Sequence, residues 1–249
     1  MGFCNTYSND SWALKTKIEV LTGATGGMGI EIAKDLARDH IVYALGRNPE
    51  QLQALSEIDG VEIVETDVVD DVLEKGGVDK LKNLERVDTL VHAAAVARDA
   101  TVESGSAAEW RAHLDLNVVV PAELSRQLLP ALRAAAGHII FINSGAGNGP
   151  HPGNTIYAAS KHALRGLADA FRKEEANNGV RVTTVSPGPT DTAMLRGLMD
   201  AQGQEYKPGL YIEAKEIANA IRFVIDAGET TQITNVDVRP RVELADRKA

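Results

Sequence analysis

Seven short runs of β-branched and apolar residues recur along the chain, spaced widely enough for helices to lie between them. They are Ile18–Thr22, Ile41–Leu45, Val61–Val64, Thr89–His92, His138–Asn143, Val180–Val185 and Gln232–Val238. The stretches between them carry apolar residues at helical spacing, as in Ile30/Ala33/Ala37 and Leu164/Ala168/Phe171. Strands that alternate with helices predict an α/β fold: a doubly wound parallel sheet of about seven strands with helices on both faces. Right-handed crossovers then put ligands at the carboxyl ends of the strands. Gly76-Gly77 interrupts one connecting stretch, so the element before Lys82 should be short or kinked. The 249 residues show no break in composition, which predicts a single domain over 17–249 behind a loose polar lead-in over 1–16.

Charge and composition exclude several functions. With 26 Lys+Arg against 35 Asp+Glu the formal charge is −9, a poor match for a phosphate backbone, so no nucleic-acid partner is expected. No apolar stretch approaches a membrane span and no signal segment opens the chain, so a cytoplasmic protein without a membrane partner is expected. Cys4 is the only cysteine, and His113, His151 and His162 follow no metal-ligand pattern, so no metal site is expected.

The turn Thr22-Gly23-Ala24-Thr25-Gly26-Gly27-Met28-Gly29 joins the first strand to the first helix. Glycines there allow a tight turn and let a pyrophosphate approach the backbone at a helix N-terminus, which favours anions. A protein choosing NAD would end its second strand with a carboxylate for the ribose hydroxyls. This strand runs into Gly46-Arg47, and the arginine offers a planar cation suited to a 2′-phosphate. NADP is therefore the expected cofactor, with NAD as the alternative. After the third strand, Asp67 can hydrogen-bond the adenine amino group or cap the next helix.

Tyr157 and Lys161 lie one helical turn apart in Tyr157-Ala158-Ala159-Ser160-Lys161, so both project from one helix face. A phenol normally titrates near pH ~10, too high for a base at neutral pH. A nearby ammonium favours the phenolate and lowers that value. Ser144 precedes the tyrosine by thirteen residues.

As a set, these residues resemble the short-chain dehydrogenase/reductase family in its compact single-domain branch of about 250 residues. The Thr-Gly-x-x-x-Gly-x-Gly turn is met by Thr22, Gly23, Gly27 and Gly29, and the active-site Asn by Asn117. Ser144, then Tyr157 and Lys161 of Tyr-x-x-x-Lys, then Pro187, Gly188 and Thr192 follow in order. The chain departs from the family at His92-Ala93-Ala94-Ala95, where Asn-Asn-Ala-Gly is usual, and His92 reads as a substitute brace. It also ends Asn235-Val236-Asp237-Val238-Arg239-Pro240 in place of Val-Asp-Gly-Gly, a tail that supports subunit contacts in relatives. Gly23, Gly26 and Gly29 equally match the glycine pattern of epimerase-like enzymes and of nicotinamide-binding regulatory proteins. The chain length opposes the first, and Ser144, Tyr157 and Lys161 oppose the second.

The resemblance implies a Rossmann-type fold and an NADP-dependent alcohol dehydrogenase or carbonyl reductase acting on a small alcohol or carbonyl substrate, as a homodimer or homotetramer. It implies Asn117, Ser144, Tyr157 and Lys161 as the catalytic set. Tyr157 would be the acid/base, Lys161 would lower its pKa and hold the ribose, Ser144 would hold the substrate oxygen, and Asn117 would position water for a relay to Lys161. The candidate cofactor residues are Thr22, Gly23, Thr25, Gly27, Met28 and Gly29 in the turn, Arg47, and Asp67 with Val68. They continue with Ala93 and Ala94, the Tyr157 and Lys161 pair, and Pro187, Gly188, Thr190 and Thr192. A lid around 193–210, with Met194, Leu195, Leu198, Met199 and Tyr206, would make the pocket mostly apolar. Arg172-Lys173-Glu174-Glu175 reads as an exposed helix end. The competing reading is a non-catalytic dinucleotide-binding regulatory protein of the same fold.

Overall fold

Each of the seven runs forms a strand: β1 Ile18–Thr22, β2 Ile41–Gly46, β3 Val61–Glu65, β4 Thr89–His92, β5 His138–Ile142, β6 Arg181–Pro187 and β7 Asn235–Val238. The computed structural model describes residues 15–243, so Cys4 and all but the last two residues of the expected lead-in lie outside the described residues. Lys15, within that lead-in, is held down: its Nζ donates to the Ala37 and Asp59 carbonyl oxygens at 2.7 and 2.8 Å.

All pairings are parallel, in the order β3-β2-β1-β4-β5-β6-β7. Successive residues of a strand point to opposite faces, so neighbouring apolar residues feed two different cores. Val20, Leu90 and Phe141 pack on one face, against helices α4 (Val120–Ala134) and α5 (Thr155–Glu175). Leu21, Val91 and Ile140 pack on the other, against α1 (Gly27–Leu36), α2 (Pro49–Ser56) and α7 (Ala214–Ile225). The remaining helices are α3 (Ala107–Leu114) and α6 (Ala193–Ala201). This is a Rossmann-like single domain. Among the described residues, no helix is long and apolar enough to cross a membrane.

The chain leaves β1 toward β2 and β3 on one side, then crosses back to β4 on the other. A crevice opens at such a reversal, beyond the carboxyl ends of the central strands. The crossover has no full helix. A π-helical turn at Asp70–Glu74 and a 3₁₀ turn at Asp79–Leu81 flank Gly76 and Gly77, both at positive φ.

Two local expectations change. The segment Arg172–Glu175 ends α5 as expected, but only Lys173 and Glu174 are exposed. Arg172 donates to the Val182 and Thr234 carbonyls, and Glu175 is buried in a two-bond pair with Arg133 at 2.7 and 2.9 Å. The last strand starts three residues later than expected, at Asn235; before it, the Ile233 carbonyl accepts from side chains, Thr183 Oγ1 and Gln232 Nε2. His92 acts as the brace expected of it: it stacks on Phe141 at 5.0 Å and 9°, and its Nε2 lies 2.8 Å from Ser125 Oγ. Complete burial drives its pKa down to about 3, so the ring is neutral at the sheet centre.

Candidate active site

The first turn is closed by contacts that only glycine tolerates. Gly23 has φ +68, and a Cβ there would sit 2.7 Å from the Ala94 backbone nitrogen. A Cβ on Gly29 would collide with the Gly23 carbonyl oxygen. Thr22 Oγ1 accepts hydrogen bonds from the Ala93 and Ala94 amides, both at 3.1 Å, which ties the turn to the end of β4. Helix α1 therefore starts at the crevice, with no side-chain cap and no acidic residue in its first turn. By contrast, Asn48 caps α2, Ser106 caps α3 and Thr192 caps α6. The unmet N–H groups of α1 make a cradle for an anion. A pyrophosphate fits that geometry, with the glycines allowing it close to the backbone.

A cavity of about 290 Å³ runs along this turn. It takes in Gly23, Thr25, Gly27, Met28 and Gly29 of the turn, and Arg47, Asp67 and Val68 at its far end. Ala93, Ala94 and Thr192 close the other side. At the far end Arg47 Nη1 lies 3.1 Å from Asp67 Oδ2, while Asp67 Oδ1 accepts from the Val69 amide at 3.0 Å. Burial pushes the Asp67 carboxyl up, but the hydrogen bonds from Val69 and Arg47 hold it below the ordinary carboxylate range. Of its two expected uses, Asp67 thus fills the capping one. Gly46 also has a reason beyond the missing carboxylate: a Cβ there would sit 2.5 Å from Thr25 Cγ2, so the turn packs on it.

A second cavity of about 380 Å³ adjoins the first and shares Met28, Thr192 and Met194 with it. Ser144 and Tyr157 both line it, with Pro187, Gly188 and Thr190 along the β6 side. Ser144 follows β5 and takes the Ala146 amide on its Oγ at 3.1 Å. Tyr157 stands in the first turn of α5, with Lys161 one turn on, its Nζ 5.7 Å from the phenol ring centroid.

Thr22, Asn117 and Lys161 line neither cavity; they support the groups that do. Lys161 is 2% exposed and donates to the Ile142 carbonyl at 2.8 Å, which anchors α5 to the end of β5. Burial lowers its pKa from an ordinary 10.5 to about 7. Tyr157 departs from expectation. Burial pushes its phenol above the ordinary value, only partly offset by the nearby Ser144 hydroxyl, and the Lys161 ammonium is directed at the Ile142 carbonyl. Asn117 occupies a π-helical turn, Asp115–Val119, between α3 and α4. Its amide is fully used: Oδ1 accepts from the Val96 amide, and Nδ2 donates to the Val96 carbonyl and to Ser160 Oγ. Ser160 in turn donates to the Tyr157 carbonyl at 2.7 Å, so Asn117 braces the tyrosine's own turn of helix.

Met194, Leu195 and Leu198 from α6 make the apolar wall, as expected. Met199 and Tyr206 do not reach it; the Tyr206 hydroxyl is bonded to Asp191 and its ring lies under Arg196. The sequence reading missed Asn143, His151, Asn154 and Arg239, all on the second cavity. Arg239 carried a usable signal. It directly follows β7, at the end of the sheet where ligands bind.

The family described as short chain dehydrogenase matches residues 17–203. A solved structure of a provisionally assigned short-chain dehydrogenase/reductase from Corynebacterium glutamicum is 70% identical, covering 90% of this chain and 100% of its own, with a TM-score of 0.73. A provisionally assigned NAD(P)-dependent gluconate 5-dehydrogenase from Beutenbergia cavernae, solved with NADP at low occupancy, is 28% identical, covers 91% and 96%, and has a TM-score of 0.80. An uncharacterised oxidoreductase of Staphylococcus saprophyticus is 32% identical over 91% of this chain and 98% of its own. The chain, with its glycine turn leading into a cleft that holds Ser144 and Tyr157, belongs to the short-chain dehydrogenases, a family of oxidoreductases.

Proposed function

We propose that the protein interconverts an alcohol and a ketone or aldehyde, prefers NADP, and uses Tyr157 as the proton donor and acceptor. The observation that carries this reading is that Ser144 and Tyr157 face one cavity that continues into the glycine-turn cavity. The turn and the α1 N-terminus would hold the pyrophosphate, Arg47 the 2′-phosphate, and Thr190 and Thr192 the nicotinamide end. The NADP found in the Beutenbergia neighbour supports a nicotinamide dinucleotide here. When bound, that cofactor gives or takes the hydride.

The protein's own residues move the proton and hold the oxygen. In reduction, the Ser144 hydroxyl donates to the carbonyl oxygen and stabilises the charge that grows there. Tyr157 delivers its phenolic proton to that oxygen as the alkoxide forms, and oxidation returns it. A phenol raised by burial is protonated at neutral pH, the form that proton delivery in reduction requires. Met194, Leu195 and Leu198 present an apolar wall to the substrate's carbon skeleton.

Tyr157→Phe should bind NADPH with wild-type affinity in a fluorescence titration and reduce a good ketone substrate about a hundred- to ten-thousandfold more slowly. Full activity in that variant would remove Tyr157 from the chemistry. Arg47→Ala should raise KM for NADPH about tenfold, the worth of one exposed charge-assisted contact, and leave KM for NADH nearly unchanged. Equal changes for both cofactors would reject the phosphate contact.

Lys161 predicts a pH-dependent trade between stability and activity. Unfolded, it titrates near 10.5, and folded at about 7. Between those values the unfolded chain holds the extra proton, so stability rises with pH across the window and the burial penalty is fully present below about 7. Lys161→Met should therefore melt higher than the parent at pH 6, on the order of a few kcal/mol, with the gain shrinking by pH 9 while activity is lost at both. A gain that grows with pH would contradict the buried, depressed lysine.

A further inference from the structure

The second cavity holds one permanently charged side chain among the described residues. Arg239 lines it, and no Asp, Glu or Lys does. The arginine leaves the end of β7 and lays its guanidinium across the ends of β5 and β6. Its Nη1 lies 2.5 Å from where a Cβ on Gly145 would be, and 3.2 Å from one on Gly188. Gly145 directly follows Ser144, so the cation sits beside the residue assigned to the substrate oxygen. Two glycines at those positions leave the space that the guanidinium fills.

Glu243 occupies only one edge of this cation. Its Oε1 accepts from Nε at 2.7 Å and its Oε2 from Nη2 at 2.8 Å. Nη1 makes no hydrogen bond within the described residues, so the edge that faces the glycines keeps its donors. Asp237, two residues earlier, is held by Asn148 Nδ2 at 2.9 Å.

We propose that Arg239 determines specificity by binding a carboxylate on the substrate, so that the preferred substrates are oxo acids and the corresponding hydroxy acids. This rests on the redox reading above and names the substrate class for that site. One guanidinium with a single free edge, its charge already countered by Glu243, suits a singly charged carboxylate better than a doubly charged phosphate. The wall of Met194, Leu195 and Leu198 suits the short carbon chain between the acid and the reacting carbonyl.

The test compares two acids with their neutral esters, levulinate with methyl levulinate and acetoacetate with methyl acetoacetate, by NADPH consumption. The wild-type protein should favour each acid in kcat/KM by about tenfold or more. Arg239→Ala should collapse that acid-to-ester ratio, Arg239→Lys should keep part of it, and Glu243→Gln should increase it by releasing the cation. If Arg239 only clamped the chain end, the Arg239 and Glu243 variants would change in the same direction and affect acid and ester alike. That result overturns the proposal, as does a wild-type protein that uses the esters as well as the acids. Binding is read separately by titrating levulinate into NADP-loaded Tyr157→Phe protein, where a Kd that weakens about tenfold in the added Arg239→Ala background sustains the proposal without turnover. No acid-selective binding there overturns it, whereas ester reduction without acid preference leaves the redox reading standing.

Discussion

The near-contact between Gly23 and Ala94 sets the geometry on which the rest of the cleft depends. With only 2.7 Å available to a Cβ, the turn after β1 can lie directly against the start of the loop after β4. The Thr22 hydroxyl fixes the approach by accepting from two successive amides of that loop. The N-terminus of α1 then points into the reversal of the sheet with its donors unmet. Everything that lines the first cavity is arranged around this seam, from Thr25 packed on Gly46 to Thr192 set against Gly27.

The second half of the site rests on a costly burial. Lys161 has almost no exposure, and the Ile142 carbonyl is its hydrogen-bond acceptor. That bond fastens α5 to the end of β5, and so fixes Tyr157 relative to Ser144 across the cavity. Asn117 supports the same turn from behind through Ser160, and the π-helical turn that carries it is the break between α3 and α4. A desolvated pair kept beside a pocket is the pattern expected where pKa values serve chemistry more than stability.

Much of this is legible in the sequence. The β-branched runs mark all seven strands: the central ones are buried on both faces and read as nearly continuous apolar runs, while edge strand β7 alternates exposed Asn235 and Asp237 with half-buried Val236 and Val238. The glycine turn and the Tyr157/Lys161 spacing were readable because each depends on residues a few positions apart. What escaped depends on contacts between distant segments. No local pattern shows that Arg239 reaches across to Gly145 and Gly188, that Tyr206 is bonded to Asp191, or that Glu175 is paired with Arg133. The pKa of Tyr157 went the other way for the same reason: spacing puts an ammonium near the phenol, but the backbone of β5 decides where that ammonium is directed.

Under the proposed function, hydride transfer and proton delivery from Tyr157 share one step. Single-turnover reduction of a ketone, followed with deuterated NADPH in H₂O and again in D₂O, tests it most directly. The account predicts that both substitutions slow the same exponential phase and that the solvent effect disappears in Tyr157→Phe. A hydride isotope effect with no solvent effect in the wild-type protein would contradict it.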